Sequence, residues 1–363
     1  MTRITRATVD LDAIRHNLAI ARDCSGDARL MAVLKANGYG HGLLRAAEAL
    51  RDADAFAVSC LAEAGPLRDA GYAHRIVLLE GFFDSDELVV FAHRRLDPVI
   101  HAPWQVEVLE QRRLSRALDV WLKVDSGMHR LGFAVNEVAE IHRRLSAAPS
   151  VANVRFLTHL ACADDLDDPT TERQLRAMDQ ACVGLPGERS SANSAGTLGW
   201  PASRLQWVRP GMMLYGCSPF IDYRDRWGLR NALTLEARLI AVHHYQAGER
   251  VGYGGTYTCP EDMAIGVVSI GYGDGYPRQA PNGTPTLVKG VRAPLAGRVS
   301  MDMITVDLRD VPDPAVGDRV VLWGDEALPT EEVADYCDSI AYEILCQLTG
   351  RVEFRYVGVG YGG

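Results

Sequence analysis

Lys35 is the residue of this chain whose type and position best suit chemistry. It lies in the segment MAVLKANGYGHG at residues 31–42, after an apolar run and before three glycines. The apolar residues predict a strand, and the glycines predict a turn where the backbone can approach a ligand such as a phosphate. Parallel α/β folds bind ligands at the carboxyl ends of their strands. Lys35 is therefore a candidate functional amine, the alternative being a strand-end lysine that reaches solvent.

Several patterns that define other chemistries are not found. The glycines after Lys35 are spaced Gly-x-Gly-x-Gly, which differs from the dinucleotide-binding fingerprint, and there is no Walker pattern. The sequence has no His-Glu-x-x-His and no Gly-x-Ser-x-Gly, which disfavours the commonest metalloproteases and hydrolases. Its eight cysteines form no Cys-x-x-Cys pair, so we expect free thiols and no metal site.

The elements that position Lys35 alternate between short apolar runs and segments with helical spacing. Strands are predicted at 31–35, 56–59, 76–79, 120–124, 154–158 and 206–208, and helices at 43–50 and 172–183. This alternation is typical of a parallel α/β fold. The number of elements favours a (β/α)8 TIM-type barrel over residues 1–229, and a doubly wound sheet is the alternative.

The pattern changes near residue 230. Apolar residues at 233, 235, 237, 239 and 241 alternate with mostly polar ones, which predicts an amphipathic strand. Further β-rich runs follow at 264–270, 298–308 and 319–323, with one helical stretch at 331–348. We therefore predict a C-terminal, mostly β domain at 230–363, and residues 1–9 are candidates to pair with it.

Composition restricts the class of partner. The 363 residues carry 38 Lys and Arg against 47 Asp and Glu, giving a net charge of -9. An acidic chain is a poor ligand for nucleic acid or for an anionic membrane surface. No apolar run approaches the roughly 20 residues of a membrane span, and the first ten residues show no signal-peptide pattern. We expect a cytoplasmic protein with a small-molecule substrate.

Nine further motifs follow the Lys35 segment in order. They are MHRLG at 128–132, TH at 158–159, NSA at 193–195, RPG at 209–211, LYG at 214–216, VGYG at 251–254, GYGDG at 271–275, GRVSMD at 297–302 and YE at 342–343. Each motif alone is weak. Together, with compatible spacing over nearly the whole chain, they resemble the bacterial alanine racemases, which depend on pyridoxal 5'-phosphate.

The resemblance implies a barrel followed by a β domain, and a head-to-tail homodimer whose active sites contain residues of both subunits. It implies that Lys35 binds the cofactor covalently and acts as one base, while Tyr253 of the other subunit acts as the second base on the opposite face. L-alanine and D-alanine would be interconverted by these two bases, supplying D-alanine for peptidoglycan or consuming it.

The resemblance also implies roles for other residues. Arg209 would face the pyridine nitrogen, with His159 linking it to Tyr253, and Arg130 would contact the cofactor hydroxyl and the substrate carboxylate. Met301 and Asp302 would bound the substrate from the partner subunit, and Lys123 matches a lysine that is carbamylated in many family members. The phosphate-binding positions would be Tyr39, Ser194, Gly211, Met212 and Tyr342.

Taken singly, several of these residues also have ordinary structural interpretations. Tyr253 could be a turn aromatic, His159 a buried polar residue, and Arg209 a surface residue, while Met212 and Met301 could belong to the core. Two departures from the family pattern occur, Asn37-Gly38 in place of a common Asp-Ala and Gly273 in place of a frequent alanine. Both leave the hydroxyl-bearing and basic positions intact.

Three functional alternatives remain. A non-enzymatic pyridoxal-phosphate carrier would have the lysine but would lack the β domain and its tyrosine, both of which this sequence contains. A broad-specificity racemase would act on bulky amino acids, and a decarboxylase on a similar scaffold would release carbon dioxide.

Overall fold

The computed structural model describes residues 5–220 and 227–358. Strand β1 (Arg6–Asp10) opens this part of the chain, and helix α1 (Leu11–Ser25) follows it without a loop. The Asp10 carboxylate accepts hydrogen bonds from the backbone N–H groups of Asp12 and Ala13, which caps the first turn of α1. The change from strand to helix at this point therefore follows from a local capping residue.

Eight parallel strands close into a barrel. They are β2 (Arg29–Val33), β3 (Ala55–Val58), β4 (Arg75–Leu78), β5 (Leu96–Ile100), β6 (Leu118–Asp125), β8 (Val151–Leu157), β9 (Arg189–Ser190) and β10 (Trp207–Val208). Their order is β5-β4-β3-β2-β10-β9-β8-β6, and pairing of β5 with β6 closes the ring. The short β7 (Phe133–Ala134) pairs only with β6. The predicted (β/α)8 barrel is confirmed, and the doubly wound alternative is wrong.

Helices surround the barrel. They are α3 (Leu43–Ala49), α4 (Leu61–Asp69), α5 (Glu87–Arg94), α6 (Pro103–Gln111), α7 (Val138–Ala147), α8 (Thr170–Ala181) and α9 (Ser194–Gly199). The segment α2 (Lys35–Tyr39) is a left-handed turn. No helix of the described residues has the length and apolar character that a membrane crossing requires.

The second, mostly β unit is built around the long strand β11 (Leu233–Tyr245). It also contains β12 (Arg250–Val251), β13 (Tyr257–Thr258), β14 (Met263–Val268), β15 (Leu287–Val288), β16 (Val291–Arg292), β17 (Ile304–Asp307), β18 (Arg319–Trp323) and β19 (Glu353–Val357). Strand β1 lies between β11 and β19, so residues 6–10 are part of this sheet, while residues 1–4 of the predicted segment lie outside the described residues. The predicted alternation is observed from Leu233 to Ile240, except that Glu236 is buried and pairs with Arg319.

Several predicted boundaries differ from the structure. The strand predicted at 31–35 ends at Val33, because Lys35 already begins the left-handed turn. The run at 298–308 is a strand only over β17, since the Ser300 N–H and hydroxyl donate to the Met303 carbonyl and the hydroxyl accepts the Met303 N–H, which closes a turn. The helix predicted at 331–348 is two helices, α10 (Thr330–Tyr336) and α11 (Ala341–Cys346), separated where Asp338 adopts a φ of 51°.

Candidate active site

A cavity of about 640 Å³ lies at the carboxyl ends of the barrel strands. Its lining comes from the carboxyl ends of all eight barrel strands and the segments that follow them, together with one residue of α11. Ten of the predicted site residues line it, namely Lys35, Tyr39, Lys123, Arg130, His159, Ser194, Arg209, Gly211, Met212 and Tyr342. Active sites of barrels form at this face because all strand carboxyl ends meet there.

The cavity is rich in positive charge. Lys35, Lys123, Arg130 and Arg209 line it, and the acids that line it are Glu80 and Asp125. The Asp125 carboxylate is engaged by its own loop, accepting bonds from the backbone N–H groups of Gly127 and His129. Lys35, Lys123 and Arg130 have no ion-pair partner within the part of the chain that the structure describes. A site of this composition suits an anionic ligand.

Lysines are concentrated here. The chain contains only three, at positions 35, 123 and 289, and two of them line the cavity. Burial, followed by the charges of Arg209 and Arg130, lowers the pKa of Lys123 to about 7. An amine with such a pKa is partly uncharged near neutrality and can react as a nucleophile.

Arg209 follows β10 and is almost completely buried. Its guanidinium donates to the Ser190 hydroxyl and to the Thr158 carbonyl, so it is fixed between β8 and β9. Burial lowers the pKa of Arg209 to about 10, which still leaves it charged at neutral pH. Burial of the His159 ring, together with the positive charges of Arg209 and Lys123, lowers the pKa of His159 well below its usual value. His159 is therefore a neutral imidazole beside a fixed cation.

The sequence analysis missed a residue that supports this region. Gln174 of α8 is buried, donates to the His159 carbonyl at 2.9 Å, and accepts from the Ala161 N–H at 2.8 Å. Its amide also reaches the Ser126 hydroxyl at 3.4 Å. No motif marks Gln174, because its spacing within α8 is that of an ordinary helix residue. The one feature that could have indicated a supporting role is that Gln174 is a polar residue on the buried face of a helix.

One end of the cavity presents hydroxyl and backbone groups without a cation. The Ser194 hydroxyl accepts the N–H groups of Gly211 and Met213, which leaves its own proton available to a ligand. The Tyr39 hydroxyl has no hydrogen-bond partner within the described residues. Tyr342 lies next to it, with ring centroids 6.0 Å apart. Burial raises the pKa of both tyrosines, so both remain donors.

Tyr253, Met301 and Asp302 lie outside this cavity, on the surface of the β unit. Tyr253 is 72% exposed and Met301 is 53% exposed. Asp302 forms an ion pair with Arg351 at 2.6 Å. Within one chain the structure therefore brings ten of the thirteen predicted residues together and leaves these three on another face.

Two family models match the chain. The N-terminal domain of alanine racemase matches residues 9–219, and the C-terminal domain of alanine racemase matches residues 232–356. The chain belongs to the alanine racemase family. Family members are isomerases, and this chain is an enzyme of that class.

Relatives of the family match over almost their full length. The alanine racemase of Halorhodospira halophila is 57% identical over 356 residues, which are 97% of this chain and 98% of that protein. That of Vibrio cholerae is 48% identical over 98% of both. The crystal structure of the biosynthetic alanine racemase from Pseudomonas aeruginosa has a TM-score of 0.95 at 47% identity, covering 99% of this chain and all of that one.

The departure at Asn37-Gly38 from the common alanine racemase pattern has a structural explanation. Both residues adopt left-handed backbone conformations, with φ of 56° and 64°. Glycine and asparagine tolerate this conformation better than other residues do. At Gly273, a Cβ atom would lie 2.5 Å from Nη1 of Arg351. The glycine therefore leaves room for the arginine that pairs with Asp302.

Proposed function

We propose that this chain interconverts L-alanine and D-alanine by a two-base mechanism that depends on pyridoxal 5'-phosphate. The activity would supply D-alanine for peptidoglycan or consume it. The observation that carries the proposal is a group of three cavity cations, Lys35, Lys123 and Arg130. They lie beside hydroxyl and amide donors and have no ion-pair partner among the described residues.

The cavity residues fit the cofactor. Its phosphate would be held by the hydroxyls of Tyr39, Ser194 and Tyr342 and by the backbone at Gly211 and Met212, since hydroxyl and N–H donors suit phosphate oxygens. The close approach of Gly211 to Tyr39 supports this assignment, because a Cβ at Gly211 would lie 2.4 Å from the Tyr39 hydroxyl oxygen. Pyridoxal phosphate, when bound, supplies the electron sink that makes the α-proton of an amino acid removable.

The residues of the chain then divide the proton transfers. Lys35 would hold the cofactor, and its free amine would accept or return the α-proton on one face, in the direction that the family assigns to D-alanine. Arg130 would bind the substrate carboxylate and the cofactor hydroxyl as a charged donor. Arg209, fixed by Ser190 and Thr158, would supply a positive charge that disfavours protonation of the cofactor's ring nitrogen. This charge would limit side reactions such as transamination.

The second base comes from a partner subunit. Tyr253, Met301 and Asp302 are exposed on the β unit, away from the cavity of their own chain. We propose a head-to-tail homodimer in which these three residues complete the partner's site. Tyr253 serves L-alanine on the face opposite Lys35, His159 connects it with Arg209, and Met301 and Asp302 limit the space for the substrate side chain. The division into domains at 1–229 and 230–363 is part of this proposal.

Lys123 is proposed to be carbamylated. Its amine lies among cations, and Arg209 and Arg130 are the strongest of its charged neighbours. A carbamate would replace this repulsion with attraction and would orient Arg130.

The test is isotope exchange with the cofactor-loaded protein in deuterium oxide. We expect deuterium at the α-carbon of both enantiomers of alanine, together with loss of optical rotation. Absence of exchange would reject racemisation. Release of carbon dioxide would indicate a decarboxylase, and equal activity on bulky amino acids would indicate a broad-specificity racemase. Cofactor binding without any turnover would indicate a carrier.

A further inference from the structure

The backbone directly after Lys35 adopts an unusual conformation. Four consecutive residues, Ala36, Asn37, Gly38 and Tyr39, have φ values of 53°, 56°, 64° and 52°. Side chains clash with the backbone in this left-handed region, so every residue there except glycine costs free energy. Contacts elsewhere in the protein must therefore hold the turn, and the turn sets the positions of Lys35 and Tyr39.

One end of the turn is held by Glu63 of α4. Its carboxylate accepts the N–H of Ala36 at 2.7 Å and the N–H of Ser59 at 2.7 Å. These two bonds connect the turn to the end of the neighbouring strand β3. They act on the beginning of the turn, and toward its end the Gly38 carbonyl accepts the backbone N–H of His41 at 3.0 Å.

The other end of the turn is held by His41, which is completely buried. Its Nδ1 atom lies 2.8 Å from the carbonyl oxygen of Tyr39 and 3.2 Å from that of Gly38. Both neighbours are acceptors, so Nδ1 must carry the proton. The opposite nitrogen, Nε2, is buried without a hydrogen-bond partner among the described residues. Burial lowers the pKa of His41 to about 4, which keeps the ring uncharged at neutral pH.

His41 also acts on Tyr39 through an aromatic stack. The His41 ring lies 4.6 Å from the ring of Tyr215, which in turn stacks on Tyr39 with centroids 4.9 Å apart. The Tyr215 hydroxyl donates to the Val33 carbonyl at 3.0 Å, which fixes this ring against the end of β2. The imidazole thus contacts both the backbone and the ring support of Tyr39.

We propose that His41 is a positioning residue whose Nδ1–H group holds the left-handed turn and thereby fixes Lys35 and the Tyr39 hydroxyl in the cavity. The proposal rests on the proposed function, since it concerns the cofactor site. His41 touches neither the cavity nor the reacting atoms, because it is not among the residues that line the cavity.

Three substitutions separate the hydrogen bond from packing. His41→Asn places an amide N–H near the position of Nδ1 but removes the ring. His41→Phe keeps the ring stack with Tyr215 and removes the donor. His41→Gln places its amide near the position of Nε2. We expect His41→Asn to retain pyridoxal-phosphate affinity within a few-fold. We expect about tenfold weaker binding or more in His41→Phe and His41→Gln, because the Tyr39 carbonyl loses its imidazole donor and the Gly38 carbonyl keeps only its backbone donor.

The readouts are the absorbance titration of pyridoxal phosphate, the borohydride-fixed label on Lys35 by mass spectrometry, and kcat and KM for alanine. Wild-type protein is measured first, because failure to fix the label there would reject the proposed function rather than the role of His41. Thermal unfolding of each variant without cofactor identifies any that do not fold. Equal cofactor affinity in wild type and His41→Phe, both folded, would overturn the proposal.

A second measurement reads the protonation of His41 in the wild-type protein itself. Nitrogen-15 spectra of protein labelled in its histidines report which ring nitrogen carries the proton, and His41→Asn assigns the signal. We expect His41 to be protonated on Nδ1 and to keep that state across neutral pH. A proton on Nε2 would overturn the proposal, since Nδ1 would then have no proton to donate to the Tyr39 carbonyl.

Discussion

A Cβ atom at Gly211 would lie 2.4 Å from the Tyr39 hydroxyl oxygen and 3.0 Å from the ring carbon that bears it. The backbone after β10 therefore lies so close to Tyr39, in the left-handed turn after β2, that only glycine fits at position 211. Two segments 172 positions apart in sequence meet in this way at the proposed phosphate end of the cavity.

Gly211→Ala should displace the Tyr39 ring and weaken pyridoxal-phosphate binding. Overpacking of this kind costs about 1–3 kcal/mol, which corresponds to roughly tenfold or more in affinity. The matched control is Gly350→Ala, since a Cβ there meets no atom within 4 Å. The double variant Gly211→Ala/Tyr39→Phe removes the clashing oxygen, so its loss should be smaller than the sum of the single losses. Additive losses in a cofactor titration would contradict the contact.

Tyr253→Phe should reduce kcat for L-alanine by about a hundredfold or more, the range of a lost acid–base group. Cofactor affinity and thermal stability should not change, because the side chain is 72% exposed within one chain. Tyr336→Phe, which alters another exposed tyrosine, is the control. Unchanged L-alanine kinetics in Tyr253→Phe would remove this residue from the mechanism.

In Lys35→Ala, borohydride should fix no cofactor on the protein.

Lys123 should make stability depend on pH in carbon dioxide-free buffer. Its pKa is about 7 in the folded protein and about 10.5 in the unfolded chain, so the unfolded state binds more protons between these values. The free energy of unfolding should therefore rise with pH across that window, by up to about 5 kcal/mol, while below pH 7 the contribution is constant. Urea unfolding of Lys123→Met should lack this rise, and Lys289→Met, at an exposed lysine, should keep it.

Carbamylation of the same residue has its own test. In carbon-13 bicarbonate, the wild-type protein should show a carbamate signal that disappears in Lys123→Met and persists in Lys289→Met. A spectrum without that signal at saturating bicarbonate would reject the modification.

Arg75 should be essential for stability at the amino ends of the barrel strands. It bridges the carboxylates of Asp97 on β5 and Asp119 on β6, and all three side chains are mostly buried. Arg75→Met removes the ion-pair partner of the buried Asp97, while Asp119 keeps its pair with Arg155, and the change should cost about 3 kcal/mol in urea unfolding. The control is Arg143→Met, whose exposed ion pair should contribute nothing measurable.

The loss in Arg75→Met should shrink in acid. Burial, only partly opposed by Arg75, raises the pKa of Asp97 to about 6 from its ordinary value of 3.8. The folded state therefore binds more protons between these values, and the stability contributed by this group falls as pH rises through the window. Without Arg75, protonation of Asp97 removes the uncompensated charge. A loss that is equal on both sides of the window would contradict this explanation.

Much of the fold follows from the order of residues alone. Apolar runs of four or five residues predict the buried strands β2, β3 and β4, because burial on both faces needs continuous apolar side chains. Strand β5 was missed since Asp97 and Pro98 interrupt its apolar pattern, and β9 was missed because it has two residues. Lys35 and its glycines were recognised because a strand end and a turn are local features.

The sequence by itself determined the strands, the turn after Lys35 and the family to which the motifs point, because these depend on neighbouring residues or on order. Tertiary structure decided between a barrel and an open sheet, since only the pairing of β5 with β6 closes the ring. It also decided that Lys35, Lys123 and Arg209 share one cavity and that Glu63, His41 and Gln174 support it. The contacts of Glu63 and Gln174 join separate segments of the chain, which closure of the barrel brings within hydrogen-bond distance. His41 bonds carbonyls two and three positions before it, and tertiary structure decides its burial.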